Sequence, residues 1–599
     1  MCGFIGVISK NYIDKTSIEK SDDLLTCRGP DNHKSTESNL GNKNFIFSFH
    51  RLSIVDLSEN ASQPMASKKF NTEIMFNGEI YNHAYLRNEL ENQGVKFTTS
   101  HSDTETLLLG LSLHGNKFLE KIEGQFSIAF LNKDKNTLTL IRDRLGQKPL
   151  YYYLNKDDLI FSSNFKSVLS YKKNFSVAEE QISIFLELGC VPSPNTLDRE
   201  IFKVEPGELI EISLNDLVIT NKIKYWDLKD FVNNEKFKKE VFFRLFHESV
   251  EKRLLSDVPI ANLLSGGIDS TSIIKSLHEQ GVDKINTYTI KNKNKNYDES
   301  FWSNKVVEKY KTNHKSKEID GKNLDSSVDP FKVIESFDEP YADPSIFPSF
   351  MIYKQISKDY KVAISGDGGD ELLGGYEKIH FSMKKGIFPL FFMKLLKKII
   401  PAKSGTGGSL HYLSSSPEFS FLSLTTDKKL IKLLGLQSKL NFEEQFMEKS
   451  VKGLKKLLIS DYSFYFSELM LLKVDRMSME NSLEIRSPFL DHKLVEYIIS
   501  TDLSFFDVNN PKALLKEYLN SDFDLEFIDR KKMGFVFDLE NWIYSNKEVL
   551  IQLILESKLF KNKSVQILFR KKSRINAIRI LKILTISLFI KNYNSISTK

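Results

Sequence analysis

Two stretches of this chain carry residue types and spacings able to do chemistry: Cys2 with Gly3 and Phe4, and the run Leu263-Leu264-Ser265-Gly266-Gly267-Ile268-Asp269-Ser270. A thiol attacks as its thiolate, and an ordinary pKa of about 8.5 leaves it mostly protonated at pH 7. If Met1 is removed, Cys2 gains a free α-amine, whose pKa of about 7.7–8.0 lets it relay that proton without a histidine. A glycine-rich turn between an apolar strand and a helix lets backbone N–H groups reach phosphate oxygens, and the helix aims its positive end at the same place. No Gly-Lys-Ser/Thr follows, so this is not a Walker A loop. Taken singly, each stretch also reads as an incidental small residue or a generic strand–turn–helix. Together they suggest two joined reactions, release of a nucleophile and activation of its acceptor.

Other residues fit that pairing. Arg51, in His50-Arg51-Leu52-Ser53-Ile54-Val55-Asp56, offers a guanidinium for a carboxylate. Asn77 and Gly78, in Asn77-Gly78-Glu79-Ile80-Tyr81-Asn82, could receive an oxyanion, and Glu79 and Asp103 are carboxylates for an amino group. The set has the shape of a glutamine molecule. Alone, each would read as a surface arginine, a turn or a helix cap. Further on, Ser365-Gly366-Asp367-Gly368-Gly369-Asp370-Glu371 brings three carboxylates to a second turn. Acids near a phosphate site make sense when Mg²⁺ bridges them, and the spacing does not match an EF-hand calcium loop.

The elements that must position these groups change character along the chain. Short β-type runs fill the first part: Phe45–Phe49, Glu73–Phe76, Phe126–Leu131, Leu138–Arg142, Leu150–Leu154 and Leu159–Ser162, with helices at Ala84–Gln93 and Asp103–Leu113. This predicts a layered α+β domain on antiparallel sheets. The hairpin-like Gly207–Asp227 reads as an extension leading to a polar, lysine-rich linker. From about residue 240 the order is helix, strand Val258–Leu264, glycine turn, helix Ser270–Glu279, strand Ile285–Ile290, helix Ser300–Lys311, and later a strand Lys361–Ser365. That is βαβ logic and predicts a parallel sheet. After about 375 the chain reads as mostly helical, including Asp475–Glu480 and Glu484–Asp491, taken as core and pocket wall.

Bulk properties bound the rest. At 599 residues two or more cores are expected. A net charge of +6, from 84 basic and 78 acidic residues spread along the chain, reads as a solvated surface and not as a nucleic-acid face. Three cysteines, at 2, 27 and 190, give neither a disulfide framework nor zinc spacing, and no signal peptide is visible. The apolar stretches Gly386–Ile400 and Ile575–Ile590 are broken by charges and read as helices on a protein core. A peripheral membrane contact through the basic C-terminal helix is the lesser reading. A cytoplasmic protein is expected.

The N-terminal strings Met1-Cys2-Gly3-Phe4, Cys27-Arg28-Gly29-Pro30-Asp31, His50–Asp56, Asn77–Asn82, Ser102-Asp103-Thr104-Glu105 and Arg142-Asp143-Arg144-Leu145-Gly146-Gln147-Lys148-Pro149-Leu150-Tyr151 resemble a class II, Ntn-type glutamine amidotransferase. Downstream, Ser265–Ser270, Tyr297–Ser300, Asp338–Ser345, Ser365–Glu371, Asp475–Glu480, Arg486–His492 and Arg530–Phe535 resemble the synthetase part of glutamine-hydrolysing asparagine synthetases, in order up to about residue 545. The last 50 or so residues match poorly. The resemblance implies an N-terminal Ntn-type four-layer sandwich over residues 2–215. It implies an α/β parallel-sheet, ATP pyrophosphatase-like domain with helical additions over residues 236–599. It implies that Cys2 attacks glutamine, that Arg51, Glu79 and Asp103 bind the amino-acid head, and that Asn77 and Gly78 form the oxyanion hole. ATP would lie against Leu264, Ser265, Gly266, Gly267, Asp269, Ser270, Ile290, Ser365 and Gly366. Asp269 and Asp370 would hold Mg²⁺, Lys512 would neutralise charge on the α-phosphate, and Asp367 would help form the acyl-adenylate. Small-molecule substrates and a homodimer are implied as partners.

Three positions depart from the pattern: Cys27 stands where His is usual, Leu145 where Phe is usual, and Asp367 where Glu is frequent. Asp367 keeps the carboxylate one methylene shorter. It leaves open a rival acceptor, a sugar acid of a surface polysaccharide, beside aspartate. A non-catalytic scaffold is the other rival, and retention of Cys2, Arg51, Asn77, Asp103, Asp269 and Asp370 argues against it.

Overall fold

The computed structural model describes residues 2–292, 298–319, 328–376, 426–530 and 537–596, with 379, 380, 383 and 391. Tyr297, residues 531–535, and the stretch 386–400 apart from Phe391 lie outside the described residues.

Strict alternation builds the front half. In strand Gly3–Ser9, Phe4 and Ile8 point to one side and Ile5 and Val7 to the other. The same split separates Phe45, Phe47 and Phe49 from Ile46, and Leu159 and Phe161 from Ile160. The first sheet therefore has two apolar faces. Its antiparallel strands run, edge to edge, Ile201–Lys203, Tyr151–Leu154, Asp158–Ser162, Gly3–Ser9, Lys43–Arg51 and Asn32–Leu40. A second antiparallel sheet runs Val218–Lys224, Glu208–Ser213, Thr137–Arg142, Gly124–Asn132, Thr72–Ile80 and Met65–Ser67. Phe4, Phe47 and Phe161 of the first pack on Met75, Leu140 and Ile210 of the second. At Gly6 any Cβ would strike the Phe161 ring, 2.1 Å away, so glycine alone lets that ring lie across the strand. Helices cover both outer faces: Lys15–Asp23 and Phe165–Lys172 on the first, His83–Asn92 and Asp103–His114 on the second. The result is helix, sheet, sheet, helix, an Ntn-type four-layer sandwich.

The back half holds a five-stranded sheet, all parallel, in the order Asn313–Ile319, Asn286–Asn292, Ile260–Leu263, Val362–Ile364, Glu484–Arg486. From the central strand Ile260–Leu263 the chain first builds outward on one side, then returns to place Val362–Ile364 on the other. That reversal opens a crevice at the C-terminal ends of these two strands, where open α/β sheets bind ligands.

Several expectations need correction. The hairpin expected at Gly207–Asp227 is present: Glu208–Ser213 and Val218–Lys224 form the outer edge of the second sheet, so a boundary at 215 would cut it. Glu484–Asp491 is not helical; Glu484–Arg486 is a strand and Pro488–Leu490 a short 3₁₀ turn. Asn32–Leu40 carries no strand signal in the sequence, because as an edge strand it has polar residues on both faces. As its charge-broken apolar sequence implies, the C-terminal helix Arg574–Ile596 does lie in the protein core, with Ile580, Leu581, Ile583, Leu584 and Ile586 fully buried. Its Lys582 donates to the carbonyls of Leu186 (2.9 Å) and Glu187 (2.8 Å), and Arg579 grips Asp427. No helix among the described residues is long and apolar enough to cross a membrane.

Candidate active site

Cys2 precedes a strand clamped between Lys43–Arg51 and Asp158–Ser162, so its place is set from both sides. Its backbone N donates to Asn77 Oδ1 at 2.9 Å, and Asn77 comes from the facing sheet. The Cys2 backbone and the Asn77 side chain thus meet where the two sheets pack. About 380 Å³ of empty space opens there, lined by Cys2, Arg51, Gly78, Glu79, Asp103 and Glu484, among others. A Cβ on Gly78 would lie 2.0 Å from the Gln125 carbonyl oxygen, so only glycine fits this backbone. Arg51 lines the cavity while donating to the carbonyls of Ser58 (2.8 Å) and Asp56, which fixes the loop over the site.

Burial sets the charges here. It pushes the Cys2 thiol above its ordinary value, with Arg51 among the groups pulling the other way. Burial also lifts Asp103 to about 6, against the lowering effect of the Ile80 N–H it accepts at 3.2 Å. Glu79 is raised by burial and by nearby Asp103, although Arg486 lies 2.9 Å from its Oε2. Glu484 and Arg486 belong to the edge strand of the parallel sheet, and Glu484, expected only as pocket wall of the second site, lines the Cys2 cavity. A three-residue strand carries no periodicity that would have found it.

Cys27 does not join the site. Burial and neighbouring Glu480 push its thiol to about 12, leaving it unreactive. Leu145 packs in an apolar cluster with Trp226 and Leu490.

At the crevice of the parallel sheet two loops lie side by side, because strands Ile260–Leu263 and Val362–Ile364 pair in register. Ser265–Gly267 opens the helix Ile268–Glu279, with Gly266 at φ +73° and Ser265 exposed. Leu264 is buried, its N bonded to Tyr288 O at 2.9 Å, and Ile290 lies on the neighbouring strand. Ser365 Oγ donates to Asp367 Oδ2 at 2.7 Å, and Ser487 Oγ holds the Asp367 carbonyl. Gly366 permits the closest approach of the loops: a Cβ there would sit 2.9 Å from Asp269 Cβ and 3.2 Å from Ser270 N.

Lys512 joins the pair. Its Nζ is 2.5 Å from both Asp269 Oδ2 and Asp370 Oδ1. Burial would lower the Lys512 pKa, but the two carboxylates outweigh it and hold the ammonium above its ordinary value. Behind them, burial and neighbouring Asp370 lift Glu371 to about 8.

A second cavity, of about 310 Å³, lies between the two sites and is lined by Gln125, Lys148, Ser365, Asp367, Ile485 and Ser487, among others. Its walls adjoin those of the first. Glu484 faces the Cys2 cavity and the next residue, Ile485, faces this one. Glu79 lines the first, and its sheet partner Gln125 the second.

A nucleophile pocket on an Ntn-type sandwich, joined to a phosphate-type crevice on a parallel sheet, defines a two-site amide-transfer ligase. Residues 1–226 match the family model described as glutamine amidotransferase domain, and residues 242–585 match that described as asparagine synthase. This chain belongs to the asparagine synthase family, and the match extends well past residue 545. It is 29% identical to asparagine synthetase [glutamine-hydrolyzing] 1 of Bacillus subtilis over 584 residues, covering 93% of this chain and 90% of the relative. It is 29% identical to B. subtilis asparagine synthetase [glutamine-hydrolyzing] 3 over 568 residues (89% and 86%). A putative asparagine synthetase [glutamine-hydrolyzing] 2 of Methanocaldococcus jannaschii is 31% identical over 398 residues (63% and 76%).

Proposed function

We propose that this chain makes asparagine from aspartate, using ATP and the amide nitrogen of glutamine. The observation that carries this reading is the pair of abutting cavities on either side of strand Glu484–Arg486, one at Cys2 and one opening on Ser365 and Asp367.

In the front cavity Asp103 and Glu79 hold the glutamine ammonium, and Arg51 its carboxylate. Cys2, freed of Met1, attacks the side-chain amide. Its α-amine takes the thiol proton and passes it to the departing ammonia. Gly78 N–H and the Asn77 side-chain amide stabilise the oxyanion. Water then cleaves the γ-glutamyl thioester to glutamate. Ammonia crosses past Glu484 and Ile485 without entering solvent, where it would be protonated and diluted.

In the crevice, Ser265–Ser270 holds the ATP phosphates, with Leu264 and Ile290 beside the base and Ser365 and Gly366 beside the sugar and α-phosphate. The aspartate β-carboxylate attacks the α-phosphorus, pyrophosphate leaves, and β-aspartyl-AMP forms. Ammonia displaces AMP to give asparagine; AMP is a far better leaving group than oxide. Lys512 offsets the charge that builds on the α-phosphate, and Asp367 orients the acceptor. Asp269 and Asp370 fit a magnesium site, since both reach one cation position, now met by the Lys512 ammonium. Bound there, Mg²⁺ would neutralise the departing pyrophosphate. The glutaminase unit closes near residue 226, and the synthetase unit begins near 236. A homodimer is the proposed assembly.

Channelling is testable with amide-¹⁵N glutamine and excess unlabelled ammonium. Asparagine that keeps the label supports the internal route. Label diluted to the bulk ratio contradicts it.

A further inference from the structure

We propose that Asp22, His33 and His50 form a site for a divalent transition-metal ion of the zinc class. His33 and His50 face each other across the antiparallel pair Asn32–Leu40 and Lys43–Arg51, so their side chains share one face of the sheet. The rings stack with centroids 4.5 Å apart. Asp22, near the end of helix Lys15–Asp23, places Oδ2 between them, 2.8 Å from His33 Nε2 and 3.0 Å from His50 Nε2. One ligand atom from each of the three residues lies within 4.8 Å of the others. Ser48, two residues before His50 and on the same face, brings Oγ to 2.9 Å from His33 Nε2.

Hydrogen bonding leaves this group incomplete. Asp22 is 7% exposed and His50 6%, yet Asp22 Oδ1 and His50 Nε2 have no hydrogen-bond partner. His50 Nε2 nevertheless comes within 3.0 Å of Asp22 Oδ2. Buried polar atoms of this kind are costly unless something completes them. A metal with bonds of about 2.0–2.1 Å sets its ligands about 2.9–3.4 Å apart, depending on geometry. The two nitrogen–oxygen separations lie at the short end of that span. Two imidazoles and one carboxylate suit zinc and its neighbours, whereas magnesium and calcium prefer an all-oxygen set. Half-exposed His33 leaves the solvent side open for entry and for a coordinated water. The ion would fasten the helix to the strand that ends at Arg51.

The test uses the full chain carrying Cys2→Ala, to remove the reactive thiol, with excess Mg²⁺ to occupy the Asp269–Asp370 position. After chelation, Zn²⁺ is titrated calorimetrically and Co²⁺ optically. One equivalent of Zn²⁺ at micromolar affinity or tighter is expected, with visible d–d bands for Co²⁺. Adding His33→Ala should weaken binding at least tenfold and abolish the Zn²⁺-dependent rise in melting temperature. His33→Ala with Cys2 intact should keep its glutaminase activity, showing that the fold survives. Absence of stoichiometric binding, or equal binding by the His33→Ala chain, overturns the proposal.

Discussion

In the proposed reading Asp103 holds the glutamine ammonium through its charge. Burial raises its pKa to about 6, so the free enzyme loses this carboxylate as pH falls through that value. The acid limb of glutaminase kcat/KM should therefore break near pH 6, with kcat less affected, because bound ammonium keeps Asp103 ionised. Asp103→Asn should raise the glutamine KM about 10–100-fold at neutral pH and remove that break. A break unchanged in Asp103→Asn would assign it to another group. At the second site, Lys512→Ala should cut ATP–pyrophosphate exchange by about 10²–10³. Glutamine hydrolysis by the same variant should stay within about twofold, a split that a general folding defect would not produce.

At the scale of elements, the loops matter more than the strands that carry them. Gly375 shows how little room the acid–lysine cluster has: a Cβ there would lie 2.3 Å from Asp370 Oδ1 and 2.4 Å from Lys512 Cε. Gly375→Ala should displace both groups and lower exchange at least tenfold while sparing the glutaminase; steady-state assays of both half-reactions would show it. Most of this was legible in the sequence, since glycine-rich turns after apolar runs mark where a parallel sheet ends and binding begins. Alternation gave the strands around Phe47, Phe76 and Ile128. Strand Glu484–Arg486 was not legible: it is only three residues long, and its pairing with Val362–Ile364 joins positions far apart in the chain. For that reason the sequence does not reveal that Glu484 faces the Cys2 cavity. Gly3–Ser9 escaped because burial on both faces hides its period of two. The role of the C-terminal helix depends on tertiary packing against Glu179–Leu188, which no local pattern reveals.

The whole molecule joins its two halves through buried charges. Arg28 of the front half meets Asp475 of the back in a two-pronged pair at 2.9 and 3.2 Å. Arg476 continues the network to Asp338 at 2.7 Å and to Tyr151 at 2.5 Å. Burial disfavours the Asp475 charge, but Arg28 and Arg476 outweigh it and hold the carboxyl well below the usual range. Its contribution to stability is thus present above about pH 4 and is lost as pH falls below that. Asp475→Ala should cost about 3–5 kcal/mol in denaturant unfolding, by leaving the Arg28 guanidinium buried without its carboxylate and Arg476 with Asp338 alone. A cost under about 1 kcal/mol would mean that water already screens the pair. The same network fixes the two cavities against each other, and the account stands on their acting as one enzyme. The most direct measurement incubates purified protein with ATP, Mg²⁺, glutamine and aspartate and follows asparagine, glutamate and AMP by mass spectrometry, beside Cys2→Ala supplied with ammonium. Asparagine, glutamate and AMP in equal amounts, with the variant active on ammonium alone, is the predicted result. Glutamate without asparagine or AMP would contradict it and exclude aspartate as the acceptor.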